Sequence, residues 1–510
     1  MGLLSRFRRE RPREPEPENT RAERVLVISD IHLGEDVLDE SSADLSRYIS
    51  ALNRELAEFV RAHSVESDTH WHLIANGDLF DFVKLSLAPE ELDGEVSTDD
   101  NTPETVARKL DRIFEIHRPL FKEFARFVRL GHRLTLIEGN HDAESFFPEV
   151  RERFVSSLEA LAHRDARAAG VDLDPAFSDR IAFRTWFEAD PGRFHIEHGH
   201  AYDEWCAFEY NLVPLDGPDS NTLATPLTHT TIPHFARALG DFSTHGIDRM
   251  TTWQHLKLFL GMGPRMFWVV GRLYLRLLWE VLGKAGGRGR ARRAALAEEQ
   301  RARLGGLARE TSYGLKTLEA LDGIRAMPAE YSVAKMICVF HADRLFVIGL
   351  ALLGLGLGFW LGGTLGWVAA ASAGVVGAWV THLANGNRSG QVWRDLEAAA
   401  ASIAQITGAR YVVFGHSHRP VLLDLHAAHG VGRFGERAYY LNSGSWVTRE
   451  ILRGEEGTGM TFVELGPEGA ALKRWRSGGE PELLATTGAE APMPTPDLPP
   501  MLPEPAAEEP

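Results

Sequence analysis

Acidic and imidazole side chains recur in five short motifs along this sequence, each directly after an apolar run. Carboxylate oxygens and imidazole nitrogens are ligands for divalent metals, and no thiolate lies among them. Two such metals held side by side support the hydrolysis of phosphate esters or anhydrides. The five motifs are Asp30-Ile31-His32, Gly77-Asp78 with Asp81, Gly139-Asn140-His141-Asp142, His198-Gly199-His200 and Gly415-His416-Ser417-His418.

The spacing within the motifs indicates how two metals would share them. Two dications within about 4 Å of each other need a common anionic ligand, and Asp78, in a Gly-Asp turn, is the expected bridge. Asp30 and His32 are two residues apart and can face one ion. His416 and His418 have the same spacing and can serve one metal each.

Two further ligands are expected, the amide oxygen of Asn140 and an imidazole nitrogen of His198. Mixed oxygen and nitrogen ligands suit Mn, Fe, Zn or Co, and the sequence does not choose among them. A hydroxide held between the two ions is the expected nucleophile. His141 is expected to protonate the leaving oxygen, with Asp142 fixing its orientation.

Two residues beside these ligands are left with other roles. His200 either replaces His198 or supports it through a hydrogen bond. Asp81 is expected to support the site rather than to bind metal.

Short apolar runs bounded by Gly or Asx predict buried strands just before the motifs. The predicted strands are Val25–Ile28, Leu73–Ala75, Leu134–Ile137, Phe194–Ile196, Tyr411–Phe414 and Tyr439–Leu441. Helical spacing of apolar residues predicts helices over 45–63 and 105–130. Strands alternating with helices indicate βαβ-like layering, with ligands projecting from strand ends into a crevice.

Composition narrows the classes of function. Of the 510 residues, 44% are hydrophobic and 25% charged, which is typical of a globular protein with a sizeable core. The net charge of −16 disfavours a general nucleic-acid binder. Cys206 and Cys338, the only two cysteines, cannot form a disulfide framework. Since residues 1–13 lack the apolar run of a secretory signal, we expect a cytosolic catalytic portion.

The chain divides into five segments. Residues 1–22 and 488–510 are rich in Pro and Glu and are predicted to be disordered tails. Residues 23–200 and 405–487 carry the motifs and are predicted to form one catalytic domain in two parts. Residues 201–404 are a long helical insertion between them.

Within that insertion, residues 345–381 form a 37-residue run without a charged side chain. One membrane span needs about 20 residues, so we predict a transmembrane hairpin over 345–383, broken at Gly362-Gly363-Thr364. Two crossings would keep both parts of the catalytic domain on one side of a bilayer. The alternative is a buried helical pair in a large soluble core.

Two segments upstream have the pattern of membrane-surface helices. Residues 267–282 are apolar except for Arg272, Arg276 and Glu280, which share one helical face. Residues 284–303 carry seven Lys or Arg, which favours a cytoplasmic position beside anionic headgroups. Ordinary surface helices are the alternative for both.

In this order, the five motifs resemble the calcineurin-like metallophosphoesterase family, over residues 24–200 and 405–465. The resemblance implies an α/β fold, a four-layer αββα sandwich with a dimetal centre at its strand ends. It assigns His141 to the leaving group. It gives one metal the ligands Asp30, His32, Asp78 and His418, and the other metal Asp78, Asn140, His198 and His416.

Two stretches are similar to the UDP-diacylglucosamine pyrophosphatase branch, which cleaves a lipid-linked pyrophosphate at the inner membrane surface. They are residues 76–81 and the His-Gly-His motif followed by Tyr202-Asp203. The chain departs from that branch in having His141 where Arg is typical, and in its long insertion. The alternatives are a soluble-substrate phosphodiesterase, a phosphoprotein phosphatase and a membrane-anchored, non-catalytic metal-binding scaffold.

Overall fold

The structure, a computed structural model, describes most of the two motif-bearing parts and portions of the segment between them. The described residues are 23–34, 43–64, 69–85, 87, 101–218, 220–224, 226, 272, 287–331, 353–356, 360, 362–383, 388–432, 437–447 and 459–487. The predicted tails at 1–22 and 488–510 and most of the predicted helix at 267–282 lie outside them.

The first sheet begins with four parallel strands in chain order. They are β1 (Glu23–Ile28), β2 (His70–Asn76), β3 (Arg133–Ile137) and β4 (Ile181–Arg184). In the register of the parallel pairs, Val25 lies opposite His72, and Leu73 lies opposite Leu134. Parallel pairing brings the carboxyl ends of these strands to one edge of the sheet.

The second sheet takes its strands from both sides of the long segment. They are β5 (Phe187–Asp190), β6 (Phe194–Glu197), β7 (Tyr411–Phe414), β8 (Val421–Asp424) and β9 (Tyr439–Asn442), in the order β5-β6-β7-β9-β8. The pairs β6–β7 and β7–β9 are parallel. The motifs after β6 and β7 therefore meet at one edge, although they are far apart in sequence.

Three antiparallel strands complete the first sheet. They are β10 (Thr461–Gly466), β11 (Gly469–Arg474) and β12 (Glu482–Thr486), and the sheet order is β12-β11-β10-β1-β2-β3-β4. β10 pairs with β1, so the end of the catalytic portion is hydrogen-bonded to its beginning.

Four helices cover the outer face of the first sheet: α1 (Ala43–Ala62), α2 (Pro103–Ile116), α3 (Arg118–Arg129) and α4 (Pro148–Ala168). The single helix predicted over 105–130 is two helices, broken at His117. Pro119 causes the break, because it has no N–H to donate to the carbonyl four residues earlier and its ring crowds that carbonyl. Leu26 and Ile28 pack against these helices.

Three helices of the predicted insertion cover the outer face of the second sheet. The helices between α4 and β7 are α5 (Gly287–Glu310), α6 (Leu315–Gly323), α7 (Gly363–Leu383) and α8 (Arg388–Thr407). Leu304 of α5, Leu318 of α6 and Leu396 of α8 share a buried cluster with Val412 and Phe414 of β7. The insertion thus supplies a layer of the catalytic fold.

Between the two sheets lies a third cluster of buried side chains. Val25 and Val27 of β1 meet Ile196 of β6 and Val413 of β7 there. Because side chains alternate along a strand, the same β1 presents Leu26 and Ile28 to the helices on its other face. The layers are helix, sheet, sheet and helix, the αββα order that was predicted.

α7 is apolar, and several of its large side chains are exposed to solvent. Trp367 is 68% exposed, Val375 70% and Trp379 61%. No helix in the described parts of the chain is long and apolar enough to cross a membrane. Much of residues 345–361, the first arm of the predicted hairpin, lies outside the described residues, so the hairpin stays a prediction.

Candidate metal centre

The motifs follow the carboxyl ends of β1, β2, β3, β6 and β7, and backbone hydrogen bonds tie their loops together. The amide of Ile31 donates to the carbonyl of Asp78 at 2.9 Å, which joins the first motif to the second. The amide of His416 donates to the Asp30 carboxylate at 3.0 Å, which joins the first to the last. The loops therefore form one frame before any side-chain ligation is considered.

Five of the predicted ligands have left-handed backbone. Their φ angles are Asp30 53°, His32 54°, Asp78 53°, His416 64° and His418 56°. This region is uncommon for residues with a side chain, and strain of this kind clusters at functional sites. Each of these residues turns the chain sharply at a strand end, which directs its side chain into the crevice.

Glycines beside the ligands leave room for this close approach. A Cβ on Gly77 would lie 2.4 Å from the His198 ring, and one on Gly139 would lie 2.1 Å from the Asp78 carboxylate. A Cβ on Gly415 would lie 2.6 Å from the Asp30 carboxylate. A side chain at any of these three positions would clash with the site, so each position requires glycine.

Three buried side chains form the first group of ligand atoms. Asp30 Oδ1 lies 3.2 Å from His418 Nε2, and His32 Nε2 lies 3.3 Å from the same nitrogen. Their ligand atoms all lie within 4.8 Å of one another. These are the residues assigned to one metal, together with Asp78.

A second group adjoins the first. His198 Nε2 lies 3.3 Å from Asp78 Oδ2, and the same oxygen lies 3.7 Å from His32 Nε2. Asp78 is therefore placed between the two groups, as a bridging ligand would be. The other ring nitrogen of His198 lies 2.9 Å from the carbonyl of Asn76, which directs Nε2 toward Asp78.

His416 is turned differently from the other predicted ligands. Its Nε2 lies 3.1 Å from Asp203 Oδ2, and its ring centroid lies 5.3 Å from that of His198. The structure thus brings His416 beside the second group and bonds it to a carboxylate that sequence analysis did not assign to the site.

The side chains present fit a pair of divalent metals. Asn140 Oδ1 is buried without a hydrogen-bond partner, which a metal ion would supply. Burial alone would raise the pKa of Asp78, but the imidazoles of His198 and His141 outweigh it and hold the pKa well below its ordinary value. An ionised bridging carboxylate results.

Comparison with known proteins identifies the fold. Residues 23–260 match the model of the calcineurin-like phosphoesterase family. The chain carries a calcineurin-like phosphoesterase domain. No curated protein matches the sequence. The resemblance noted from the motifs is confirmed, and the chain is a metal-dependent phosphoesterase that uses two divalent metals.

The phosphoesterase domain places His141 next to the first group of ligand atoms and beside Asp81. His141 Nδ1 lies 3.2 Å from Asp81 Oδ2, and the same oxygen lies 3.3 Å from His32 Nδ1. Burial would lower the pKa of His141, yet the charges of Asp81 and Asp78 raise it. Asp81 is therefore placed to orient both His141 and the predicted ligand His32.

The Asp142 carboxylate joins two loops of the site. It accepts hydrogen bonds from the amides of Gly139 at 2.7 Å, Leu79 at 2.8 Å and Phe80 at 3.3 Å. It joins the loops after β2 and β3. These bonds hold the Asp142 carboxylate against the backbone of both loops, and its orientation of His141 stays a prediction.

Two further residues lie beside the predicted site residues. Asp203 and Lys84 were not predicted, although Tyr202-Asp203 had been noted beside the His-Gly-His motif. Lys84 Nζ lies 3.4 Å from Asp81 Oδ2. Among the described residues, the groups able to hold a metal contain His198 and not His200, whose ring lies 5.5 Å from that of His198.

Proposed function

We propose that this phosphoesterase hydrolyses a phosphate ester or pyrophosphate carried on a lipid, at the cytoplasmic face of a membrane. The proposal has a chemical part, the hydrolysis, and a membrane part, its location. The chemical part rests on one observation: buried carboxylates and imidazoles lie close together at the strand ends, with His141 beside them. Under this proposal one metal is held by Asp30, His32, Asp78 and His418, and the other by Asp78, Asn140, His198 and His416.

The metals and the side chains beside them have different roles in the proposed reaction. When bound, the two metals supply Lewis acidity toward phosphoryl oxygens and a water that is nucleophilic near neutral pH. His141 donates a proton to the leaving oxygen from Nε2, since its Nδ1 is held by Asp81. Asp81 thereby fixes the ring and favours its protonated form.

The test of the chemical part is hydrolysis of p-nitrophenyl phosphate and its bis-ester by the full chain with added Mn²⁺. We expect Mn-dependent turnover that is lost in Asp78→Asn, because the bridging charge is removed. Glu58→Gln is the matched control, since this acidic residue lies on the surface at α1. Equal turnover in Asp78→Asn and wild type would contradict the ligand assignment.

The observations that support the membrane part are on α7 and α5. α7 exposes Trp367 and Trp379 to solvent, and exposed apolar patches of this kind mark interaction surfaces. α5 begins within the basic segment 284–303. Exposed tryptophans and a basic segment each favour the interface of an anionic membrane.

The test of the membrane part is flotation of the full chain with vesicles of anionic or neutral phospholipid. We expect binding that is stronger on anionic vesicles and reduced in Trp367→Ser/Trp379→Ser. Lys122→Ser, on the helical layer of the other sheet, is the control. Failure of the wild-type protein to float with either kind of vesicle would contradict the membrane part of the proposal. It would not affect the chemical part.

A further inference from the structure

The loop after the His-Gly-His motif, residues 201–213, is here called the Asp203 loop. Asp203 Oδ2 lies 3.1 Å from His416 Nε2, and the two side chains are only 4% and 8% exposed. The second Asp203 oxygen accepts from the amide of Trp205 at 3.0 Å. Asp203 is thus fixed by its own loop and aimed at a predicted metal ligand.

We propose that Asp203 is a positioning residue that holds His416 through Nε2 and leaves Nδ1 as the nitrogen that binds metal. The inference rests on the proposed function, which assigns His416 to the second metal. Histidines that bind metal usually donate their other ring N–H to a carboxylate or carbonyl, which fixes the tautomer and ring orientation. His198 follows the same rule with the carbonyl of Asn76.

The segment after α6 holds the Asp203 loop by its backbone. The amide of Ala326 donates to the carbonyl of Ala201 at 2.9 Å, and the amide of Ala329 donates to the carbonyl of Glu204 at 2.7 Å. These two bonds flank Asp203 in sequence. The position of its carboxylate is therefore set by residues from the predicted insertion.

Two side chains of the same region hold the far end of the loop. The guanidinium of Arg325 donates to the carbonyls of Phe208 at 3.2 Å and Glu209 at 3.3 Å. Gln300 of α5 accepts from the amide of Leu212 at 3.0 Å. Asp322 of α6 accepts from both Gln300 and Arg325, so these supports form one connected frame.

Cys206 offers a competing use of the same atoms. Ligand atoms of Asp203, Cys206 and His416 lie within 4.8 Å of one another and could hold a third metal. The positioning role is favoured because Asp203 already lies at hydrogen-bond distance from His416, whose ring is beside that of His198. The two roles differ in what Cys206→Ser should do.

The test is titration of the full chain with Mn²⁺. Isothermal titration calorimetry measures the affinity, and electron paramagnetic resonance detects coupling between the two ions. Wild type should bind two Mn²⁺ and show a coupled two-ion spectrum. Asp203→Ala should bind the second Mn²⁺ about 10 to 100-fold more weakly and show an isolated-ion spectrum at the same loading. Asp203→Asn, which keeps an acceptor oxygen, should lose less, and Cys206→Ser should match wild type.

The outcomes separate this inference from the proposed function. Unchanged affinity and an intact coupled spectrum in both Asp203 variants would overturn the positioning role alone. A third metal equivalent that is lost in both Asp203→Ala and Cys206→Ser would also overturn it, in favour of a separate metal site. Wild type that binds no pair of Mn²⁺ ions would overturn the proposed function together with this inference.

Discussion

The predicted metal ligands have backbone conformations that their side chains do not favour. A left-handed residue of this kind costs roughly 1 to 3 kcal/mol, and five of the predicted ligands share it. The surrounding loops compensate through hydrogen bonds such as that from the Trp446 amide to the Asp30 carbonyl at 3.1 Å. The ligands are therefore oriented by the fold, so little rearrangement is required when metal binds.

Gly139→Ala tests how tightly the frame fits. The added Cβ would lie 2.1 Å from the Asp78 carboxylate, so we expect weaker Mn²⁺ binding and a loss of kcat/KM of about 100-fold or more. The measurements are Mn²⁺ stoichiometry and ester hydrolysis. Gly306→Ala in α5 is the control, because its Cβ meets nothing within 4 Å. Wild-type metal binding in Gly139→Ala would contradict the close approach.

His141→Ala separates proton donation from metal binding. We expect two Mn²⁺ per chain as in wild type, with kcat lowered by about 100 to 10,000-fold because a positioned acid is lost. The loss should be greatest for substrates with poor leaving groups. A variant that no longer binds two Mn²⁺ would show that His141 is itself a ligand.

Glu144 makes the free energy of unfolding of the domain depend on pH. Burial raises its pKa from the ordinary 4.5 to about 7, while Oε1 accepts from Asn101 at 2.7 Å and Oε2 has no hydrogen-bond partner. Between these values the unfolded carboxyl ionises and the folded one stays protonated. This contribution to the free energy of unfolding therefore falls as pH rises from 4.5 to 7.

Glu144→Gln removes that pH dependence, because the amide stays uncharged. The variant should gain about 3 kcal/mol of stability relative to wild type between pH 4.5 and pH 7. Urea unfolding of both proteins in metal-free buffer at several pH values measures this difference. A difference that does not change with pH would show that Glu144 has its ordinary pKa.

At the scale of elements, strands with uniform apolar runs were predictable and patterned helices were less so. The buried strands β1, β2, β3, β6, β7 and β9 were predicted because each run ends at Gly or Asx, and all are confirmed. The break at His117 was missed, since the apolar spacing continues across it. Pro119 was the available signal.

Deleting residues 345–383 tests the role of the apolar segment. If the proposed membrane role is right, we expect the shortened chain to leave the membrane fraction and to keep most of its activity on small esters, because the predicted metal ligands lie in other elements. Fractionation of cells expressing both forms, with ester assays on each fraction, measures this. Continued membrane association of the shortened chain would contradict an anchor at α7.

At the scale of the molecule, the sequence predicted which side chains meet at the strand ends better than it predicted the contacts among them. The motifs gave the residue types and the strand ends, and the family resemblance gave the layer order. The partners of His141 and His416 were not predictable, because Asp81 and Asp203 reach them only through the fold. Helical spacing at 287–323 likewise gives no sign that α5 and α6 cover the second sheet.

Metal should stabilise the whole domain, because the ligands join both sheets. A ligand at 100 times its Kd stabilises the folded state by about 2.7 kcal/mol. We therefore expect the thermal midpoint to rise with added Mn²⁺ and to fall with a chelator. The midpoint of Asp78→Asn should respond little to either, and an equal response in both proteins would place the stabilising metal elsewhere.

The parallel pairing of β6 with β7 has a consequence for synthesis. His416 lies 386 positions after Asp30, so at about 5 to 20 residues per second roughly 20 to 80 seconds separate their exit from the ribosome. During that interval the strand ends of the first part exist without the last two histidines. With the predicted ligands, a complete pair of metal sites can form only once the long helical segment has been made and β7 has joined the second sheet. We therefore expect metal to load after most of the chain has been synthesised.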